Sequence, residues 1–305
     1  VTPRIRAWLL VLTVLLACGL MVLGAFWYRS NPITAAAMLK RLPSRDSVVL
    51  FVDMTQLRRL GVIDELFDNS KVGTDPEYQS FIQKIDFDFR KDLDTAMLAM
   101  APTGKYLLAR GRFDWPAFSG YVTAQGGHCN NAVCNLVGSS PERRISFFPL
   151  QKGLMALAVS PEEGAVDRLN SVDQRADPEL PNAPIWLMIP PAVLQSGKDL
   201  PPGTRLFADK MGRAQLATIW LAGTKGHFSA RMEVRCASIA DAVTMASELT
   251  GVTRLALRWI ESEKQIPNPA DLSGFLTSGT FHNEGTKVIG DWPIQQALIE
   301  TLFGK

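Results

Sequence analysis

Residues Ala7 to Tyr28 carry no charged side chain, and Thr13 is their one clearly polar residue. As a helix these 22 residues rise about 1.5 Å each, roughly 33 Å in all, which matches a hydrocarbon core about 30 Å thick. Arg4 and Arg6 flank the run on one side and Arg29 on the other. Trp8, Trp27 and Tyr28 fall near its two ends, where amphipathic rings favour the membrane interface. A retained transmembrane anchor is the expectation. A cleaved leader would need a shorter apolar core followed by small residues, whereas this run continues into Phe26-Trp27-Tyr28. Leu15-Leu16-Ala17-Cys18 also has the form of a bacterial lipobox, but the residues after Cys18 stay apolar where a mature lipoprotein turns polar. Lys40, Arg41 and Arg45 lie beyond the span, so cations alone do not orient it. Long domains translocate largely regardless of charge. The expected arrangement is a single pass through the bacterial inner membrane, contacting lipid through residues 7–28, with the C-terminal domain in the periplasm or outside the cell.

The remainder reads as folded protein. An apolar fraction of 47% with 20% charge is globular. Against 32 basic residues stand 30 acidic ones. That balance, with no basic stripe, gives no electrostatic footprint for nucleic acid.

Short apolar runs and turn signals divide the exterior into elements. Residues 1–30 form tail and anchor, and 31–46 a linker. Ser47 to Val52 reads as a buried strand and Met54 to Phe67 as a helix with apolar residues at helical spacing. Thr95 to Ala101 and Lys105 to Gly111 form a hairpin. Asp114-Trp115-Pro116 starts a helix, with Asp as cap and Pro in the first turn. Ser160-Pro161-Glu162-Glu163 has capping-box spacing and opens a helix to Asn170. A proline-rich stretch from Asp177 to Pro184 separates the halves. The order then repeats: strand at Ile185 to Ile189, short helices, hairpin, long helix over Ala240 to Ser262, a hairpin from Phe275 to Ile289, and a last helix capped by Asp291-Trp292-Pro293. The expected class is α+β: a transmembrane helix followed by a duplicated antiparallel-sheet domain, helices packed on one face of each half, with halves 47–176 and 177–305. One continuous sheet and two lobes both fit.

Three cysteines lie outside the anchor. Cys129 and Cys134 bracket an Asn-Asn turn signal, and a bend there brings them within disulfide range. Cys236 ends a strand-like run and reads as a buried small residue. His128 beside Cys129 raises a metal site, but zinc needs about four ligands, and His227 and His282 are isolated. The acidic run Asp86, Asp88, Asp92, Asp94 lacks the Gly and Glu that an EF-hand loop requires at Lys91 and Met97. Nucleotide-binding glycine loops and metalloprotease or serine-nucleophile motifs are missing. No cofactor is expected. Trp186 and Met188, with Trp292, are the candidate lining of a partner groove.

Leu42-Pro43, Phe89-Arg90-Lys91-Asp92-Leu93-Asp94 and Ala109-Arg110-Gly111-Arg112-Phe113-Asp114 resemble segments of a loose set of uncharacterised bacterial envelope proteins with one anchor and a duplicated α+β exterior. That resemblance implies envelope location and fold, and carries no site residues. The functional expectation is a non-enzymatic protein that binds an envelope protein partner or supports envelope assembly. A lipid- or glycan-binding ectodomain with a cleft between the halves is the alternative, and an unrecognised hydrolase the third reading.

Overall fold

The structure is a computed structural model describing residues 33–63, 82–138, 140–173, 179–196, 205–224, 227–295, 297, 298 and 301. The expected anchor and the end of the helix expected over Met54 to Phe67 lie outside them. Among the described residues, no helix is long and apolar enough to cross a membrane.

One antiparallel sheet organises the chain. Its strands are β1 (Val48–Asp53), β2 (Leu93–Ala101), β3 (Gly104–Gly111), β4 (His128–Asn130), β5 (Val133–Val137), β6 (Arg144–Gln151), β7 (Leu154–Ser160), β8 (Ile185–Ile189), β9 (Leu216–Thr224), β10 (His227–Arg235), β11 (Thr280–Glu284) and β12 (Lys287–Ile294). The order across the 12-stranded sheet is β11-β12-β10-β9-β8-β1-β2-β3-β7-β6-β5-β4. β1 and β8 meet at its middle, antiparallel, with Phe51 opposite Trp186. Outward from that pair, both halves place a hairpin and then a second hairpin whose later strand pairs inward. The β4–β5 hairpin extends the first half alone.

Side-chain alternation assigns the two faces. Val49 and Phe51 of β1, Tyr106 and Leu108 of β3, and Trp186 and Met188 of β8 share one core. It is covered by α1 (Ala35–Leu39) and a 3-10 helix (Ala165–Asn170). On the opposite face, Ala109 of β3 packs under α4 (Trp115–Ala124) with Phe118 and Val122. There too, Ile189 of β8 and Ala230, Met232 and Val234 of β10 pack under α7 (Ile239–Ser262) with Ala242, Met245 and Leu249. α2 (Met54–Leu60) buries Met54 and Leu57 beside Val52. The remaining helices are α3 (Phe89–Asp92), α5 (Pro191–Ser196), α6 (Arg205–Lys210) and α8 (Leu272–Ser278). The first half therefore carries helices on both faces, where one was expected, because α1 and the 3-10 helix both turn back over the sheet. Residues 33–42, read as linker, supply buried Met38, Leu39 and Leu42 to the core.

Local chemistry sets several ends. The Asp53 carboxylate accepts from Gln56 N at 2.8 Å and caps α2. Gly61, at φ 69, closes that helix in the left-handed region. Asp114 caps α4 by accepting from Ala117 N at 3.1 Å, with Pro116 in the first turn. The same triplet at Asp291-Trp292-Pro293 does not start a helix: it belongs to β12. Beyond Asp291 that strand has outrun β11 and pairs with β10 alone, a position that tolerates a missing N–H. Ser160 does not open an α-helix either. Its hydroxyl accepts from Glu162 N at 3.2 Å and donates to Thr103 O at 2.9 Å, fixing a strand end. Phe275, expected in a strand, lies in α8, where Asp271 accepts from Ser273 N at 2.7 Å and nucleates the turn.

Among the described residues, the other face of the second half has no helix over it, and it carries charge. Arg235 and Lys287 both bridge Glu233 and Glu179, at 3.0–3.4 Å. Burial pushes the Glu233 carboxyl up, but hydrogen bonds and charges from Lys287 and Arg235 outweigh it and leave it below its ordinary 4.5. The bond to Glu233 holds Lys287 above its ordinary 10.5, against an opposing burial contribution. A depressed acid stabilises above its unfolded pKa and loses that contribution as pH falls through the folded one; a raised base does so below its unfolded pKa and loses it as pH rises. The expected result is a plateau between pH 4.5 and 10.5. Denaturant midpoints across pH should show the wild-type advantage over Lys287→Met largest on that plateau and shrinking at both ends.

Candidate functional site

A concavity opens where α3, the end of β3 and the start of α4 converge, with a volume of about 830 Å³. Gly111 makes that convergence possible, since a Cβ there would stand 2.2 Å from the Asp92 carbonyl oxygen. With the two backbones in contact, Arg112 N donates to Asp92 O at 2.8 Å and Gly111 N to Gly153 O at 2.9 Å. The Arg112 side chain then folds onto α3: Nε and Nη2 reach Asp92 Oδ1 at 3.1 and 2.9 Å, and Nη2 reaches Lys91 O at 2.8 Å. Asp92 in turn accepts from Asp88 N at 2.9 Å.

Aromatic rings line the cleft. Phe87 stacks on Phe113 at 5.4 Å, Phe113 tilts against Trp115 at 5.9 Å, and Trp115 stacks on Phe147 at 6.5 Å. Phe87, Phe113 and Trp115 are half-buried, while Asp114 and Lys152 on the rim are exposed. Half-buried aromatics within a charged rim form the type of patch that anchors binding partners. The carboxylates nearby hold the scaffold together: Asp92 pairs with Arg112, Asp88 with Lys91, and Asp94 with Arg58 and Arg110.

The residues singled out from sequence lie elsewhere. Cys129 and Cys134 are cross-strand partners in the β4–β5 hairpin, joined by a disulfide with Cα atoms 4.0 Å apart. Trp186, Met188 and Trp292 do not line a groove. They are 1%, 8% and 6% exposed, and they belong to two cores on opposite faces of the sheet. The uninterrupted apolar run Ile185-Trp186-Leu187-Met188-Ile189 is the pattern of a strand buried on both faces, and both faces of β8 are covered. The cleft expected between the halves is filled, with the Phe51 and Trp186 rings stacked at 5.0 Å across the junction. His128 Nε2 lies 3.9 Å from Glu163. Among the described residues no group of three His, Cys, Asp or Glu side chains is placed to hold a metal. Cys236 is buried, and burial, followed by the Asp241 charge, raises its thiol pKa.

Sequence reading missed Phe87 and the joining of its segment to Arg112-Phe113-Asp114-Trp115. The available signal was charge alternating with aromatic in both Asp86-Phe87-Asp88 and Arg112-Phe113-Asp114-Trp115. The first stretch adjoins, and the second overlaps, a segment that carries the envelope-protein resemblance.

The class defined by this architecture is an α+β protein built on one large antiparallel sheet. No family model and no curated protein matches the chain. Among solved structures, crystal form IV of TP0453 superposes with a TM-score of 0.50 at 11% identity, covering 88% of this chain and 96% of that one. Crystal form I of TP0453 gives 0.49 at 10% identity, covering 90% and 98%. At such identity the likeness concerns the fold.

Proposed function

We propose that this is a single-pass membrane protein, anchored through residues 7–28 in the bacterial inner membrane, whose exported α+β domain binds an envelope protein partner without catalysing a reaction. The aromatic cleft carries this reading. Phe87, Phe113 and Trp115 present apolar surface within a rim whose Asp92 and Arg112 are tied to each other. A protein segment with an apolar anchor residue and complementary charge fits such a surface. The apolar run with interfacial aromatics supports the anchor, and the resemblance to single-anchor envelope proteins supports the location. The shared strand order on either side of the β1–β8 pair supports an origin of the two halves by duplication. The filled junction weighs against a ligand held between the halves. The test is capture of a stoichiometric partner that depends on Trp115 and Lys152: each of Trp115→Ala and Lys152→Glu should lower recovery at least tenfold, with thermal melts confirming that both variants are folded.

A further inference from the structure

A second concavity, of about 520 Å³, lies at the end of the sheet where β1 begins and β2 ends. Its lining includes Lys40, Arg41, Arg45 and Arg168, against Asp46 and Asp173. Arg41 is oriented by backbone: its Nη1 donates to Leu169 O at 3.4 Å and Asn170 O at 3.3 Å. Those are carbonyls, so its charge has no carboxylate partner among the described residues, and its Nε and Nη2 donors remain. Arg45 is exposed, and it too has no carboxylate partner among the described residues. Arg168 is fixed by the Tyr106 hydroxyl at 3.2 Å and by Glu162 at 2.5 Å, so it shapes the wall. The result is a hollow with one oriented guanidinium, Arg41, and a second, exposed one, Arg45, whose planar donor forks match phosphate oxygens.

Position supplies the second argument. Ile33 packs against the core and Thr34 caps α1, which leads directly to Lys40 and Arg41. Five residue steps separate Tyr28 from Ile33, at most about 18 Å of extended chain, and the five residues of α1 add roughly 7.5 Å along its axis. We infer that this hollow binds a phosphate-type anion, supplied by a phospholipid headgroup at the surface of the membrane that anchors the chain. The choice of headgroup rests on the anchor reading; the anion site rests on Arg41 and Arg45. Lipid binding here would hold the domain in one orientation, with its basic end toward the bilayer.

The experiment uses the full chain in non-ionic detergent micelles, titrated with dihexanoyl-phosphatidylglycerol, dihexanoyl-phosphatidylcholine or inorganic phosphate. The expected result is at least tenfold preference for the anionic lipid over the zwitterionic one, abolished by Arg45→Glu and weakened by salt. Arg45 is exposed, so its reversal leaves the fold intact, which a melt confirms. Inorganic phosphate binding as tightly, with the same loss in Arg45→Glu, would support the anion site and make its occupant a soluble phosphate. No binding, or binding that ignores Arg45→Glu, overturns the inference. Alkaline extraction of membranes tests the anchor separately: release of the chain would sink the anchor without altering what the titration reads.

Discussion

Replacing Trp186 with alanine should destabilise the whole domain by about 3–5 kcal/mol. The indole is 1% exposed, stacks on Phe51 at 5.0 Å and lies opposite Trp220 on the neighbouring strand. Removing it leaves a cavity that rigid strands on both sides cannot close. The total stability of a domain is typically about 5–15 kcal/mol, so this one change takes a large share. Its position matters as much as its size. β1 and β8 are the strand pair through which the two halves join, and Trp186 sits in the core that both halves build. Denaturant unfolding followed by far-UV circular dichroism and by tryptophan fluorescence should therefore show one coincident transition, shifted to lower denaturant. Two separated transitions would mean that the halves are independent. Trp259→Ala is the matched control: that ring is 67% exposed, and its loss should change stability by no more than about 0.5 kcal/mol.

Gly111→Ala should cost about 3 kcal/mol, at the upper end for overpacking, and should also disturb the cleft. The added Cβ would meet the Asp92 carbonyl oxygen at 2.2 Å, a backbone atom that cannot rotate away. Separating the two backbones there breaks the 2.8 Å bond from Arg112 N to Asp92 O and pulls Arg112 from Asp92. Phe113 and Trp115 follow directly in the chain, so their placement against Phe87 is lost as well. Gly251→Ala in α7 is predicted to move the opposite way. Apart from its chain neighbours and the helix's own backbone, no atom of the described residues lies within 4 Å of its built Cβ, and alanine in a helix interior gains roughly 0.5–1 kcal/mol over glycine. Denaturant midpoints of the two variants, measured side by side, should fall on opposite sides of wild type.

What the sequence made legible was local. Asp114 capping α4, the β9–β10 hairpin and the close approach of Cys129 to Cys134 all depend on neighbours a few residues apart. Asp291-Trp292-Pro293 shows the limit. It has the chemistry of a helix start, yet burial of Trp292 under α7 and pairing with β10 hold it in a strand. Tertiary packing there outweighs an N-cap preference of about 1 kcal/mol. Trp186 and Met188, expected in a groove, lie in a strand covered on both faces, and the uninterrupted apolar run from Ile185 to Ile189 carries that signature. The aromatic cleft, by contrast, has no such local signature. It exists because Gly111 admits the Asp92 backbone, a contact between segments about twenty residues apart that no spacing rule encodes.

The deciding measurement is affinity capture from gently solubilised membranes, comparing the wild type with Trp115→Ala, Lys152→Glu and Trp259→Ala. A stoichiometric envelope protein is expected with wild type and with Trp259→Ala, reduced at least tenfold by either cleft substitution. A lone chain, or a companion retained equally by all four proteins, would contradict the proposed role of the cleft.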